Sequence, residues 1–129
     1  SKDFYTWAIA RKEDEGNVIG SISVPQLDQK AGRVTVGYCL GRNWWGHKIM
    51  KEAFAELIRF FFEVEGANRV EALHDIRNVN SGKVMAACGL KKEGTLRRYG
   101  WNNQGICDEC IYGMVASDYF EGKQRWENK

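Results

Sequence analysis

Between Arg33 and Asp75 the apolar pattern changes period twice, and that constrains the fold more than any other feature of the chain. In RVTVGYCL, Val34, Val36, Tyr38 and Leu40 alternate with other residues, the period of a strand. Beyond Trp45 the spacing becomes helical. Ile49, Ala53, Leu57, Phe61 and Val64 fall on one face, widened by Phe54, Ile58 and Phe62. Lys51, Glu52, Glu56, Arg59 and Glu63 fill much of the remainder, so the pattern predicts a helix from about Trp45 to Glu65 that ends at Gly66. RVEALHD then reads as a strand again. A strand, a long helix and a strand in succession suggest a crossover between parallel neighbours.

The flanks read differently. Tyr5, Trp7 and Ile9 mark a first strand, EGNVIG a turn, Val18 to Val24 a second strand and QLDQKAGR a polar connection. NVNSGKVMAACGL predicts a second helix with Val84, Ala87 and Cys88 as its buried side and Gly89 as its stop. EGTLRRYGW and ICDECIYGMVAS form a hairpin around NNQG, and the polar tail EGKQRWENK is expected to fray. The expectation is an α/β domain over 1–129: a mixed, mostly antiparallel sheet with helices on its faces.

At 129 residues the chain is the size of one domain, and its 43% apolar content is ordinary for one. A net charge of +2 gives no case for a nucleic-acid or membrane partner. Phe60-Phe61-Phe62 is broken by Glu63 and Glu65, so it does not read as a bilayer span, and the start carries no signal-peptide pattern. Cys107 and Cys110 invite a metal reading, but on a strand residues three apart point to opposite faces, and the remaining ligands are missing. Free thiols in a reducing, cytoplasmic setting are the expectation, with no metal.

RNWWGHKIM, from Arg42 to Met50, places cationic and donor side chains where a glycine-containing loop feeds the long helix. The first N–H groups of a helix lack partners, and positive charge there opposes the macrodipole. An anionic ligand resolves both. The plainer alternative makes Trp44 and Trp45 core anchors, with Gly46 easing a turn among solvated charges.

VGYCLGRNWWGHKIMKEA, Val36 to Ala53, and DIRNVNSGKVMAACGLKKEG, Asp75 to Gly94, resemble the GNAT acetyltransferases, in particular the RimJ/RimL type that acetylates ribosomal-protein N-termini. Asp108 and Tyr112 in the last hairpin are similar too, and the resemblance runs from Phe4 to about Tyr119. It implies a sheet with helices on both faces and a central parallel pair, Arg33–Leu40 and Arg69–Asp75, that splays apart to admit acetyl-CoA. Pyrophosphate would rest on the backbone around Arg42, Trp45, Gly46, His47 and Lys48. The acetyl carbonyl would meet backbone near Tyr38, Cys39 and Leu40, with Gly37 as the bulge that opens the splay. The sequence also departs from the pattern. Lys48 replaces a second small residue in the loop, and Thr35 stands where relatives often carry glutamate. The chain starts at what resembles the second family strand, so a domain shortened at its N-terminus is expected.

The resemblance puts Asn78 near the pantetheine arm and Ser81 near the sulfur. The plainer reading makes Asn78 a helix N-cap and Ser81 a first-turn residue, and both stand. Tyr112 is the second donor for the thiolate, or simply a rim tyrosine. Glu71, His74 and Asp108 compete as base. Alternation sets Glu71 and His74 on opposite faces, and the plainer role of Glu71 is as a partner for a nearby Lys or Arg. The catalytic candidates are thus Ser81, Glu71 and Tyr112. An α-amine, with a pKa of about 8 against about 10.4 for lysine, needs only a weak base, which favours a protein or peptide N-terminus as acceptor. The competing readings are a non-catalytic CoA-binding or interaction domain and an acetyltransferase for small amines. Exposed edge strands leave a homodimer open.

Overall fold

A computed structural model of the chain describes residues 5–11, 14–40 and 49–127, with side chains described over 20–38 and 49–123. Strands β1 (Tyr5–Arg11), β2 (Asp14–Asp28) and β3 (Arg33–Leu40) precede helix α1 (Ile49–Arg59). After β4 (Arg69–Asp75) and α2 (Val79–Ala87) come β5 (Lys91–Asn102), β6 (Gly105–Val115) and α3 (Ala116–Glu127). The strands form one six-stranded sheet in the order β1-β2-β3-β4-β6-β5. Only β3 and β4 pair in parallel among the described residues; their neighbours are antiparallel. The mixed, mostly antiparallel sheet with a central parallel pair is therefore the architecture expected, and the bounds of β3 and β4 are those read from the sequence.

One face of the sheet carries Ile22, Val34, Val36, Val70, Ala72 and Met114, all buried. Helix α1 covers it with Met50, Phe54, Leu57 and Ile58. Its last turn widens into a π-helical segment, Phe60–Val64, which buries Phe61 and Phe62 and leaves Val64 62% exposed. A regular helix would carry Val64 onto the face of Leu57 and Phe61, as the sequence spacing predicted. The wider π turn rotates it into solvent. Gly66, at φ +70°, ends the segment, and the amide of Ala67 donates to the carbonyl of Phe61 at 2.8 Å.

Helix α2 is also rotated from its predicted setting. Gly82 and Met85 are its buried residues, Ala87 is exposed and Cys88 half-buried. Its N-terminal half presses against β4 and β6, where there is room only for a glycine, and Met85 fills the core one turn on. The second strand is longer than predicted because the polar QLD continues it to Asp28. The bulge lies on β2, where Ser23 pairs with Gly37 and Gln26 with Thr35, leaving Val24 and Pro25 to share one step of β3. Gly37 thus faces the irregularity and does not form it. Pro25, which cannot donate to a ladder, is the local cause. The hairpin turn is Asn103–Gln104, as expected. The tail is no frayed end: EGKQRWE lies within α3, which docks by stacking Tyr119 on Phe62 and by bonding Tyr119 and Lys123 to the Glu63 carboxylate.

The opposite face carries a polar cluster. Arg69 donates to Glu71 at 2.9 Å and to both Glu93 oxygens, at 3.0 and 2.8 Å, directly over Gly113. Thr35 donates to the second Glu71 oxygen at 3.0 Å.

Phe54 is fully buried beneath Tyr38, with ring centroids 5.8 Å apart. Phe54→Ala should destabilise the fold by about 3–5 kcal/mol in urea denaturation. Arg69 holds the Glu93 carboxyl below its usual range, Tyr119 and Lys123 do the same for Glu63, and Arg77 for Asp75. Carboxyls depressed in the folded state contribute stability that is present above their unfolded pKa of about 4 and is lost as pH falls below it. The urea midpoint should therefore drop between pH 7 and pH 3, and Glu93→Gln should make that drop smaller.

Candidate functional site

The parallel ladder runs from Arg33 opposite Arg69 to Val36 opposite Ala72 and stops, although β3 continues to Leu40 and β4 to Asp75. Each strand keeps its outer neighbour: β3 stays paired with β2 to Leu40, and β4 with β6 to Asp75. The sheet therefore opens along its central seam. Backbone groups of β3 beyond Val36 that face the seam have no ladder partner, and a buried ligand with donors and acceptors could meet them.

Tyr38 lies at the mouth of the opening. Its hydroxyl donates to the Ser81 carbonyl at 3.1 Å, linking β3 to the first turn of α2 across the gap. Burial pushes its phenol up to about 12, so it stays a protonated donor. Asn78 caps α2, its side-chain oxygen accepting from the Ser81 amide at 3.3 Å. The N-cap reading of Asn78 is therefore what the structure shows. With its amide and carbonyl both engaged, the Ser81 backbone is fixed, and its side chain lies within interaction distance of the Tyr38 phenol.

Beneath this turn, α2 touches the sheet at Gly82. A Cβ on Gly82 would lie 2.9 Å from His74 Nε2 and 3.1 Å from the Tyr112 hydroxyl. The His74 and Tyr112 rings are 5.5 Å apart, brought together because His74 on β4 pairs with Cys110 and Tyr112 with Ala72. Ser81, Tyr38, Tyr112 and His74 therefore share the helix-covered side of the seam. Glu71 does not join them. It points to the opposite face, held by Arg69 and Thr35, the partner role that its composition also allowed. Thr35 sits in register with Glu71, so that face does carry a carboxylate beside Thr35, supplied by the neighbouring strand.

Asp108 holds local structure. It accepts from the Arg98 amide at 2.7 Å where Arg98 bends β5 with φ +53°. At the end of β4, Arg77 draws Asp75 well below the usual carboxylate range, helped by its own amide and by Asn102, while burial and Asp75 raise Glu109. Cys107 and Cys110 lie in the regular strand β6, both buried, and burial keeps the Cys88 thiol high, at about 11. No cluster of metal-ligating residues occurs among the described residues.

Arg42, Trp45, Gly46, His47 and Lys48, expected to seat an anion, lie outside the described residues, and of Cys39 and Leu40 only the backbone is described. Sequence reasoning missed Gly82 and the closeness of His74 to Tyr112. Both depend on the β4–β6 register, for which a single sequence carries no local signal.

Residues 1–91 match the family described as acetyltransferase (GNAT) domain. An uncharacterized N-acetyltransferase, p20, of Bacillus licheniformis is 34% identical over 111 residues, covering 86% of this chain and 61% of its own length. The chain thus spans about three fifths of that relative. Among solved structures, the ribosomal-protein-S5-alanine acetyltransferase from Vibrio fischeri superposes with a TM-score of 0.78 at 28% identity, covering 85% of this chain and 61% of that one. The microcin C7 self-immunity acetyltransferase MccE, solved with acetyl-CoA and AMP, gives a TM-score of 0.70 at 27% identity, covering 77% and 55%. A central parallel pair that parts after a short ladder, a capped helix over the gap and a match across most of the sequence agree: this chain belongs to the GNAT acetyltransferase family.

Proposed function

We propose that the chain is the acetyl-CoA-dependent part of an N-acetyltransferase acting on a primary amine, with a protein or peptide N-terminus as the acceptor. The observation that carries this reading is the opening between β3 and β4. It offers unpaired backbone on one wall, the capped start of α2 on the other, and a buried nitrogen, His74 Nε2, with no hydrogen-bond partner among the described residues. Such a donor and acceptor set fits the amide-bearing arm of coenzyme A. Acetyl-CoA, when bound, supplies the acetyl group as a thioester.

Tyr38, Cys39 and Leu40 would line the cofactor through their backbone, and Asn78 and Ser81 from the helix start. The loop with Arg42, Trp45, Gly46, His47 and Lys48 would take the pyrophosphate. The Ser81 hydroxyl, held beside the Tyr38 phenol on a fixed backbone, would donate a hydrogen bond to the sulfur as it gains charge. A serine is a poor acid, so this donation stabilises the thiolate and does not supply the whole proton.

On the opposite face, Glu71 already accepts from Arg69 and Thr35. Both of its oxygens are thus already engaged, though the carboxylate can hold an amine by charge. This agrees with an acceptor of low pKa that loses its proton without strong assistance. The V. fischeri relative is named for ribosomal-protein S5 alanine, which favours a protein N-terminus over a small amine.

Acetyl-CoA should raise the melting temperature of the chain, since a ligand bound only by the native state stabilises it. Offered acetyl-CoA and a panel of N-terminal peptides and small amines, the chain should release free thiol fastest with a peptide. Thermal stabilisation without thiol release would instead indicate a CoA-binding domain without catalysis. Ser81→Ala should lower kcat about tenfold, the scale of one hydrogen bond to a charged group, with little change in acetyl-CoA affinity. A large loss of affinity at unchanged kcat would assign Ser81 to binding.

A further inference from the structure

Three residues compete as base on sequence grounds, and the structure engages or turns away each of them. Both Glu71 oxygens are taken, beside the closed part of the parallel ladder. Asp108 holds the bend of β5 through the Arg98 amide. His74 faces the helix-covered side, where the cofactor reading uses its Nε2. A different carboxylate stands at the open end of the seam. Glu109 on β6 pairs with Asp75, the last residue of β4, so its side chain shares the face of Glu71. Equal steps from Val36 opposite Ala72 bring Cys39 level with Asp75. Glu109 is therefore one strand spacing, about 4.8 Å, behind the strand that borders the gap. It is half-buried and has no hydrogen-bond or ion-pair partner among the described residues. Its neighbour Asp75 is not free in this way, since Arg77 and Asn102 occupy it. The Glu109 carboxylate reaches over Gly100 of β5. A Cβ there would lie 2.6 Å from one of its oxygens and 3.1 Å from the other, so a side chain at that position would displace it. The irregularity in β5 between Leu96 and Gly100, held at Arg98 by Asp108, is what sets Gly100 there.

We infer that Glu109 is the general base of the transfer: it accepts a hydrogen bond from the acceptor amine at the open end of the seam and takes the proton that the nitrogen sheds. This deepens the acetyl-CoA reading above and rests on it. The lone pair of the neutral amine forms the bond to the thioester carbon. The bond from that carbon to sulfur breaks, and its electron pair leaves with sulfur. One N–H proton passes to the Glu109 carboxylate, which returns it to solvent, and solvent protonates the thiolate. The surroundings of Glu109 suit this task. Burial raises its pKa most and the Asp75 carboxylate next, against an opposing effect of His74. Cys107 stands near it on its own strand, Gly100 faces it from β5, and Arg77 is engaged by Asp75. A raised carboxylate takes a proton from nitrogen more readily than an ordinary one, and an α-amine with a pKa of about 8 asks no more of it.

In ligand-free ¹³C carboxyl spectra, assigned with Glu109→Gln, Glu109 should titrate above an ordinary glutamate. A value at or below the ordinary one would overturn the inference. With an N-terminal peptide as acceptor, Glu109→Gln should lower kcat about 100-fold while the rise in melting temperature with acetyl-CoA is kept. The pH profile separates a base from a structural residue. Carboxylate and amine must both be unprotonated, so log kcat/KM should rise with a slope of about two below the Glu109 pKa and about one from there to the pKa of the amine. Glu109→Gln should show the shallower slope throughout. Glu71→Gln should keep both segments, and Glu109→Asp should restore the steeper one with part of the rate. Gly100→Ala, which crowds the carboxylate and leaves its charge, should lower kcat about tenfold with the acetyl-CoA shift intact. If the wild-type chain is active and Glu109→Gln matches its kcat or keeps the steeper segment, the role of Glu109 is overturned and the transferase reading stands. If the wild-type chain binds acetyl-CoA and releases no thiol with any amine, the transferase reading falls, and the role of Glu109 falls with it.

Discussion

The central strands can part because each is anchored on its outer side. From Gly37 to Leu40, β3 stays bonded to β2, and from Leu73 to Asp75, β4 stays bonded to β6, so neither strand loses all its ladder when the seam opens. The cost falls on the backbone groups that face the gap. Tyr38 offsets part of it by bridging from β3 to the Ser81 carbonyl, with its ring lodged against Phe54. Phe54 belongs to the buried face of α1, so the helix that comes after β3 in the chain also fixes the wall of the opening that β3 forms.

This arrangement divides labour between the two faces of the sheet. The helix-covered face brings Tyr38, Ser81, Tyr112 and His74 together around the gap. The other face carries Thr35, Glu71, Arg69 and Glu93 in a connected polar group. Strand alternation keeps the two sets apart within a few ångströms of backbone. The place of Glu71 follows from this geometry: held by Thr35 and Arg69, it lies on the face opposite Ser81 and Tyr112.

Much of the fold was legible because it rests on local periodicity. The bounds of β3 and β4, the stops at Gly66 and Gly89, the Asn78 cap and the hairpin turn are each written in a few adjacent residues. Where the sequence reading failed, a tertiary partner had overridden local preference. The polar tail forms α3 because Tyr119 and Lys123 find Phe62 and Glu63. Val64 leaves its predicted face because the helix widens to bury Phe61 and Phe62 together. Helix α2 turns Met85 inward and Ala87 outward because Gly82, and not a larger residue, can approach His74 and Tyr112.

The sequence by itself determined the strand–helix–strand order at the centre, the capped second helix and the residue types that the proposed chemistry draws on, since these depend on neighbours within a turn or a strand. Only the tertiary structure decided which of those residues meet. The Thr35–Glu71 pair, the Arg69 bridge to Glu93 and the convergence of His74 with Tyr112 over Gly82 join residues far apart in the chain through strand register. Register is set by the whole sheet and its packing, and a shift of one residue would send each side chain to the other face.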